Sequence, residues 1–136
     1  MPQEFLDHLE TREPETRERS QFSLLPDLVR KAIATAPGWA AHLDGVDPAT
    51  LTSRAALAKI PLMRKTSLHG LQTARPPFGG LNVSTGRDIG RIFMSPGPIF
   101  EPEGLGADWW RSARALFAAG VRSGDIIHNT FAYHLT

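Results

Sequence analysis

Arg91-Ile-Phe-Met-Ser-Pro-Gly-Pro-Ile-Phe-Glu-Pro-Glu-Gly104 is the stretch from which the fold can be read. Ile92 to Met94 is a short apolar strand, and Pro96, Gly97 and Pro98 break it into a loop. A helix is expected next, Trp109 to Ala119. Asp108 can cap it, Gly120 can stop it, and Trp110, Ala113, Leu116 and Phe117 fall on one face. A second strand is expected from Asp125 to Phe131. Strand, phosphate-sized loop, helix and strand is the order in which an α/β enzyme commonly begins a nucleotide site. The chain then stops at His134-Leu135-Thr136 with no further elements to complete a sheet, so the expectation is the opening piece of a larger protein.

Upstream, the first third is helical. Phe22, Leu25, Val29, Ala32, Ile33 and Ala36 recur at three- and four-residue steps, which places them on one helix face. Pro26 either kinks that helix or opens a second one, and Ala36-Pro37-Gly38 ends it. Asp47-Pro48 and Thr52-Ser53 are helix starts by capping chemistry, the latter opening Arg54 to Lys59. Thr66 or Ser67 is expected to cap one more turn, through Leu71. Between residues 72 and 90, Ala74-Arg-Pro-Pro-Phe-Gly-Gly80 and Ser84-Thr-Gly-Arg-Asp-Ile-Gly90 are turn-rich, with room for a short strand at Leu81 to Val83. No helix follows this glycine-rich stretch closely enough to make it a phosphate cradle.

Composition narrows the function classes. The net charge of +1 offers no basic excess for nucleic acid or an anionic membrane. The chain has no cysteine, which removes disulfides, thiolate catalysis and Cys-based zinc sites. No run of about 18 apolar residues can span a bilayer, and Met1-Pro-Gln-Glu-Phe-Leu-Asp7 lacks the basic-then-apolar order of a secretory signal. A cytoplasmic protein is the expectation. His8, His42 and His69 lie in separate segments without metal-ligand spacing, so no metal site is assigned. Trp109 and Trp110 fit anchoring of the helix to its sheet better than a stacking platform. Arg111, Arg114, Glu101 and Glu103 are expected to face solvent.

Glu101-Pro-Glu-Gly104, Trp109-Trp110, Arg122-Ser-Gly-Asp125 and Phe131-Ala-Tyr133 together resemble the N-terminal region of phenylacetate-CoA ligase-type enzymes of the adenylate-forming superfamily. Leu57-Ala-Lys-Ile-Pro-Leu-Met-Arg-Lys-Thr-Ser-Leu68 is similar to that family's lead-in segment. The resemblance spans essentially the whole chain and a minority of a full-length member. It implies an α/β fold in which a helical lead-in precedes the first strands and helix of an adenylate-forming-enzyme sheet, incomplete here. The divisions it implies are a helical lead-in over 1–71, a loop-rich connector over 72–90, and over 91–136 the start of a nucleotide- and acyl-binding domain. For the full-length protein it implies AMP-forming activation of a carboxylic acid, aromatic by expectation, with ATP and Mg²⁺, and transfer to CoA. The fragment alone is expected to be inactive, and an oligomer is left open.

The resemblance also indicates where ligands would sit. Ser95 and Gly97 occupy the phosphate-loop position. The loop departs from the family's Ser-Ser-Gly-Thr-Thr-Gly-Lys-Pro, because Met94-Ser-Pro-Gly-Pro-Ile99 keeps one serine and places two prolines where donors are wanted. Either the loop holds ATP differently or nucleotide binding has been lost, which would leave a noncatalytic binding module or relic. Phe131 and Tyr133 take the aromatic positions of the acyl pocket, and His134 would lie at its mouth as a pocket-shaping residue or a general base. In strand geometry Asn129, Phe131 and Tyr133 share one face, and His128, Thr130 and Ala132 the other. No catalytic residue is assigned, because the family's charge-neutralising and ribose-binding groups lie downstream.

Overall fold

A computed structural model of the chain describes residues 3–84 and 86–130. Its first long element is α1, Pro14–Thr35, with a proline in its opening turn, where a missing N–H costs nothing. The helix runs through Pro26 without a break. A proline in a helix interior forfeits one backbone bond and costs about 3 kcal/mol or more. The helix holds together because its stripe packs on both sides of Pro26: Val29 is buried, and the half-buried Leu25 before the proline and Ile33 after it pack against the same core. Ala36 ends α1, donating its N–H to Ala32, and begins α2, Pro37–His42.

The core is local to this end of the molecule. Val29 of α1, Leu43 at the end of α2 and Leu51 are buried together, with Trp39, Val46, Ala56 and Ile60 packed around them. Capping chemistry shapes the segment between. Asp47 accepts from the Ala49 N–H at 3.0 Å and opens a 3-10 turn, Pro48–Thr50. Ser53 accepts from Ala56 at 3.2 Å and opens α3, Arg54–Leu57. Both starts stand where the sequence places them. The next helix, α4, Lys65–Ala74, begins before Thr66 and Ser67, has no side-chain cap, and runs past Leu71.

The strands form an antiparallel hairpin. β1, Ile89–Met94, pairs with β2, Phe100–Gly104, in a register that sets Arg91 against Glu103, Phe93 against Glu101 and Met94 against Phe100. This corrects the expected topology, in which a helix followed the loop directly and the second strand lay at Asp125 to Phe131. Residues 125–130 have no regular structure, and Ile126 is fully exposed. An apolar run becomes a strand only when another strand takes up its N–H and C=O groups, and among the described residues the sheet consists of β1 and β2 alone. Leu81 to Val83 is likewise not a strand. Ile92 and Met94 are exposed at 55% and 42%, so the hairpin is not the doubly covered strand pair that its apolar sequence suggests.

The last helix, α5, Ala113–Ala118, is shorter than the Trp109-to-Ala119 expectation, because residues 107–110 form a turn first. Asp108 still serves its beginning, accepting from Ala113 N–H at 2.9 Å. Gly120, at φ +99°, ends it in a Schellman arrangement: its N–H bonds to Phe117 O and that of Val121 to Leu116 O. The α/β arrangement of a helical lead-in followed by strands and a helix therefore stands, with the sheet reduced to two strands.

Candidate functional site

The loop between the strands, residues 95–99, holds the two phosphate-position residues. Ser95 closes it from both sides: its N–H donates to Ile99 O at 3.0 Å, and its hydroxyl accepts from Ile99 N–H at 3.3 Å. Pro96 and Pro98 have no N–H to offer. Gly97 therefore carries the loop's one uncommitted backbone donor, beside the Ser95 hydroxyl proton. A polyphosphate cradle converges several backbone N–H groups on one point, commonly at a helix N-terminus. Here the loop runs into β2 instead.

What fixes this loop is Gln72, a residue that sequence reasoning passed over. Its side chain is buried in α4 and bonds to both backbone groups of one residue, donating to Phe100 O at 2.8 Å and accepting from Phe100 N–H at 2.9 Å. The amide thus stands in for a neighbouring strand. One signal was available: Gln72 lies four residues after Leu68, on the inward face of α4, where a polar side chain needs a specific partner.

The two tryptophans are structural. The Trp109 ring lies against Gly104 so closely that a Cβ there would fall inside it. Trp110 Nε1 donates to Glu103 Oε2 at 2.6 Å, and its ring meets Phe93 edge-on at 6.2 Å between centroids. Glu103 also faces Arg91 at 3.2 Å, with only 14% of its side chain exposed, so the expectation of a solvated carboxylate is corrected. Glu101 faces Lys65 at a looser 3.8 Å. Arg114 is not simply solvent-facing: its guanidinium holds Asp7 with two bonds, at 2.8 and 3.2 Å. That pairing lowers the Asp7 carboxyl below its ordinary value and raises Arg114.

Two open grooves flank α4. One of about 350 Å³ is walled by Trp39, Leu68, Phe78 and Phe100, with Asn82 and Glu101 as polar members. The other, about 550 Å³, lies beside α2 and carries His42, Arg64, Ser67 and Arg75. His42 is engaged with Pro61 O at 3.0 Å. Phe131, Tyr133 and His134 lie outside the described residues. The turn that leads toward them matches the sequence reading: Arg122 N–H donates to Asp125 Oδ2 at 2.7 Å, Asp125 N–H returns to Arg122 O at 3.1 Å, and Gly124 has φ +94°. The Mg²⁺ implied by the resemblance needs several oxygen ligands around one point. Among the described residues no three His, Cys, Asp or Glu side chains stand together, so these residues do not fit it.

No family model matches the chain. It is 32% identical over 124 residues to the phenylacetate-coenzyme A ligase of Aromatoleum evansii, a match that covers 85% of this chain and 27% of that protein. Its fold is similar to 2-hydroxyisobutyryl-CoA ligase in the postadenylation state in complex with R3-HIB-AMP, with a TM-score of 0.76 and 26% identity over 85% of this chain and 26% of that one. The same ligase in complex with 2-HIB-AMP and CoA in the thioesterification state aligns with a TM-score of 0.75 at 26% identity. The chain spans about a quarter of the length of these relatives.

Proposed function

We propose that this chain, which is similar in sequence to a phenylacetate-coenzyme A ligase and in fold to a 2-hydroxyisobutyryl-CoA ligase, is the N-terminal part of an enzyme that activates a carboxylic acid with ATP. The acid becomes an acyl-adenylate with release of pyrophosphate, and CoA then displaces AMP to give the thioester. The observation that carries this reading is the coincidence of both likenesses over 85% of the chain. Residues 1–71 are the helical lead-in, 72–90 the connector, and 91–136 the start of the nucleotide- and acyl-binding domain. The working compartment is the cytoplasm; no helix among the described residues is long and apolar enough to cross a membrane.

In this reading Ser95 and Gly97 meet a phosphate oxygen through one hydroxyl and one backbone N–H. Phe131 and Tyr133 give an aromatic acid apolar contact and a hydroxyl for orientation, with His134 at the pocket mouth. Transition-state charge on a transferring phosphoryl group needs several fixed cationic partners. The described loop supplies none, so the 136-residue chain is inactive alone. Carboxylate-dependent exchange of pyrophosphate into ATP tests this: none is expected from the purified chain, and exchange above a no-protein control overturns it. In a protein of the relatives' length, Tyr133→Ala should weaken acid binding and leave ATP binding nearly unchanged. Equal loss of both, with circular dichroism unaltered, counts against the acyl-pocket assignment.

The second reading, a noncatalytic module that has lost ATP, draws on one observation. Ser95 and Ile99 spend their backbone donors on closing the loop. Nucleotide titration of the longer protein separates the two readings, since the ligase requires saturable ATP binding.

A further inference from the structure

The conformation of the loop at residues 95–99 turns on one peptide group, the one joining Ile99 to Phe100. That group is held at both ends: its N–H, on Phe100, donates to Gln72 Oε1 at 2.9 Å, and its C=O, on Ile99, accepts from Ser95 N–H at 3.0 Å. A peptide group is planar, so its N–H and C=O turn together and whatever fixes one fixes the other. The Gln72 amide is itself pinned, because its Nε2 donates to Phe100 O at 2.8 Å. Gln72 and Ile99 are both buried, so these bonds form where water competes little. The Ser95 hydroxyl accepts from Ile99 N–H at 3.3 Å, which commits a lone pair to the loop and leaves its proton for a group outside it.

We propose that Gln72 is a positioning residue for the nucleotide: acting through the Ile99–Phe100 peptide and Ser95, it aims the one side-chain proton that the loop can offer a phosphate oxygen. The role rests on the ligase reading of the chain, in which Ser95 and Gly97 meet that oxygen. With Pro96 and Pro98 in place the loop has few donors, so the aim of each carries a larger share of the binding. Without the amide the Ile99–Phe100 peptide is free to turn. Ser95 N–H then loses its acceptor, and the hydroxyl loses the geometry that directs its proton outward. The loop is thus set from α4, a helix that precedes the hairpin, and not by a helix following the loop.

In a protein of the relatives' length, Gln72→Met keeps the side chain's volume and removes both of its bonds. It should raise the dissociation constant for ATP about tenfold, the worth of one hydrogen bond, and leave CoA affinity and the number of ATP sites per protein unchanged. A merely structural role does the opposite, lowering the fraction of protein able to bind and leaving the constant alone. Because Gln72 acts through Ser95, Gln72→Met combined with Ser95→Ala should bind ATP no more weakly than Ser95→Ala by itself. In the 136-residue chain, Gln72→Met should convert the Ser95 amide from hydrogen-bonded to solvent-facing, read from the temperature dependence of its NMR shift. If Gln72→Met does not fold, Gln72→Asn, whose amide is one methylene short of Phe100, tests the same bonds. ATP binding indifferent to these substitutions, an additive loss in the double variant or an unchanged Ser95 amide overturns the role and leaves the ligase reading standing. Absence of saturable ATP binding in the unsubstituted longer protein overturns both together.

Discussion

Single residues join the helical half of the chain to the strand half. Gln72 is the clearest, because its buried amide meets both backbone groups of Phe100 and has no third partner to fall back on. Gln72→Ala strands a backbone N–H and C=O at the strand edge. It should lower stability by about 1–3 kcal/mol, the cost of leaving such groups unpaired, read as a lower urea midpoint by tryptophan fluorescence; an unchanged midpoint would mean that water replaces the amide at no cost. Gly38 is a second such point. Its N–H donates to Gly80 O at 2.8 Å, and a Cβ there would stand 2.5 Å from Gly79 O, a backbone atom that cannot swing aside. Gly38→Ala should therefore destabilise by about 1–3 kcal/mol, the usual range for overpacking, whereas Gly70→Ala, with open space at its Cβ, should not. A matched pair of denaturation curves distinguishes steric conflict from a general effect of the substitution.

Among the elements, α5 is held by its neighbours more than by its own six residues. The turn before it carries Trp109 onto Gly104 and Trp110 onto Glu103 and Phe93. Its Arg114 reaches back to Asp7, so the first described residues and the last helix form one clasp. The carboxyl of Asp7 is lowered from 3.8, first by its hydrogen bond to Arg114. A group with a depressed folded pKa contributes its stabilisation above the unfolded value and loses it as pH falls through the folded one. The clasp should thus be complete at neutral pH and loosen only below pH 3.8. Titrating the Asp7 carboxyl by NMR should give a midpoint under 3.8 that moves upward in Arg114→Ala, where the Leu9 N–H still bonds the carboxylate. Both groups are exposed, so added salt should also narrow the difference. A midpoint indifferent to Arg114 would show that the ion pair does not persist in solution.

At the level of the whole molecule, buried apolar side chains are few and unevenly placed. Among the described residues they are Val29, Ala36, Leu43, Leu51 and Ile99, and only Ile99 belongs to the strand half. Leu24, Leu28, Leu62, Leu105 and Ile126 are each more than 60% exposed. A chain with so small a core is marginal, and a two-stranded sheet adds little by itself. Hydrogen exchange should find its slowest amides in α1 and α2, where the core sits, and fast exchange in the hairpin and α5. The thermal transition should be broad, and a polypeptide extended to the relatives' length should unfold cooperatively. A sharp, reversible transition of the monomeric 136-residue chain contradicts that picture.

What the amino-acid sequence determined by itself is what depends on near neighbours along the chain. The Leu25–Val29–Ile33 stripe, the Asp47 and Ser53 caps, the Gly120 stop and the Arg122–Asp125 turn each span five residues or fewer between the groups that interact, so spacing alone reveals them. The likeness to adenylate-forming ligases was legible for a related reason, since it lies in short runs such as Glu101-Pro-Glu-Gly104 and Arg122-Ser-Gly-Asp125. Only the tertiary structure decided which apolar runs became strands. Ile92 to Met94 found a partner strand in residues 100–104, while 125–130, equally apolar at its start, forms no strand. It also decided that Pro26 would be tolerated, that Gln72 would serve as a strand's neighbour 28 residues away, and that Arg114 would meet Asp7 across 107 residues. A hydrogen bond across such a separation depends on where two segments are brought by everything packed between them, and no pattern within either segment records that.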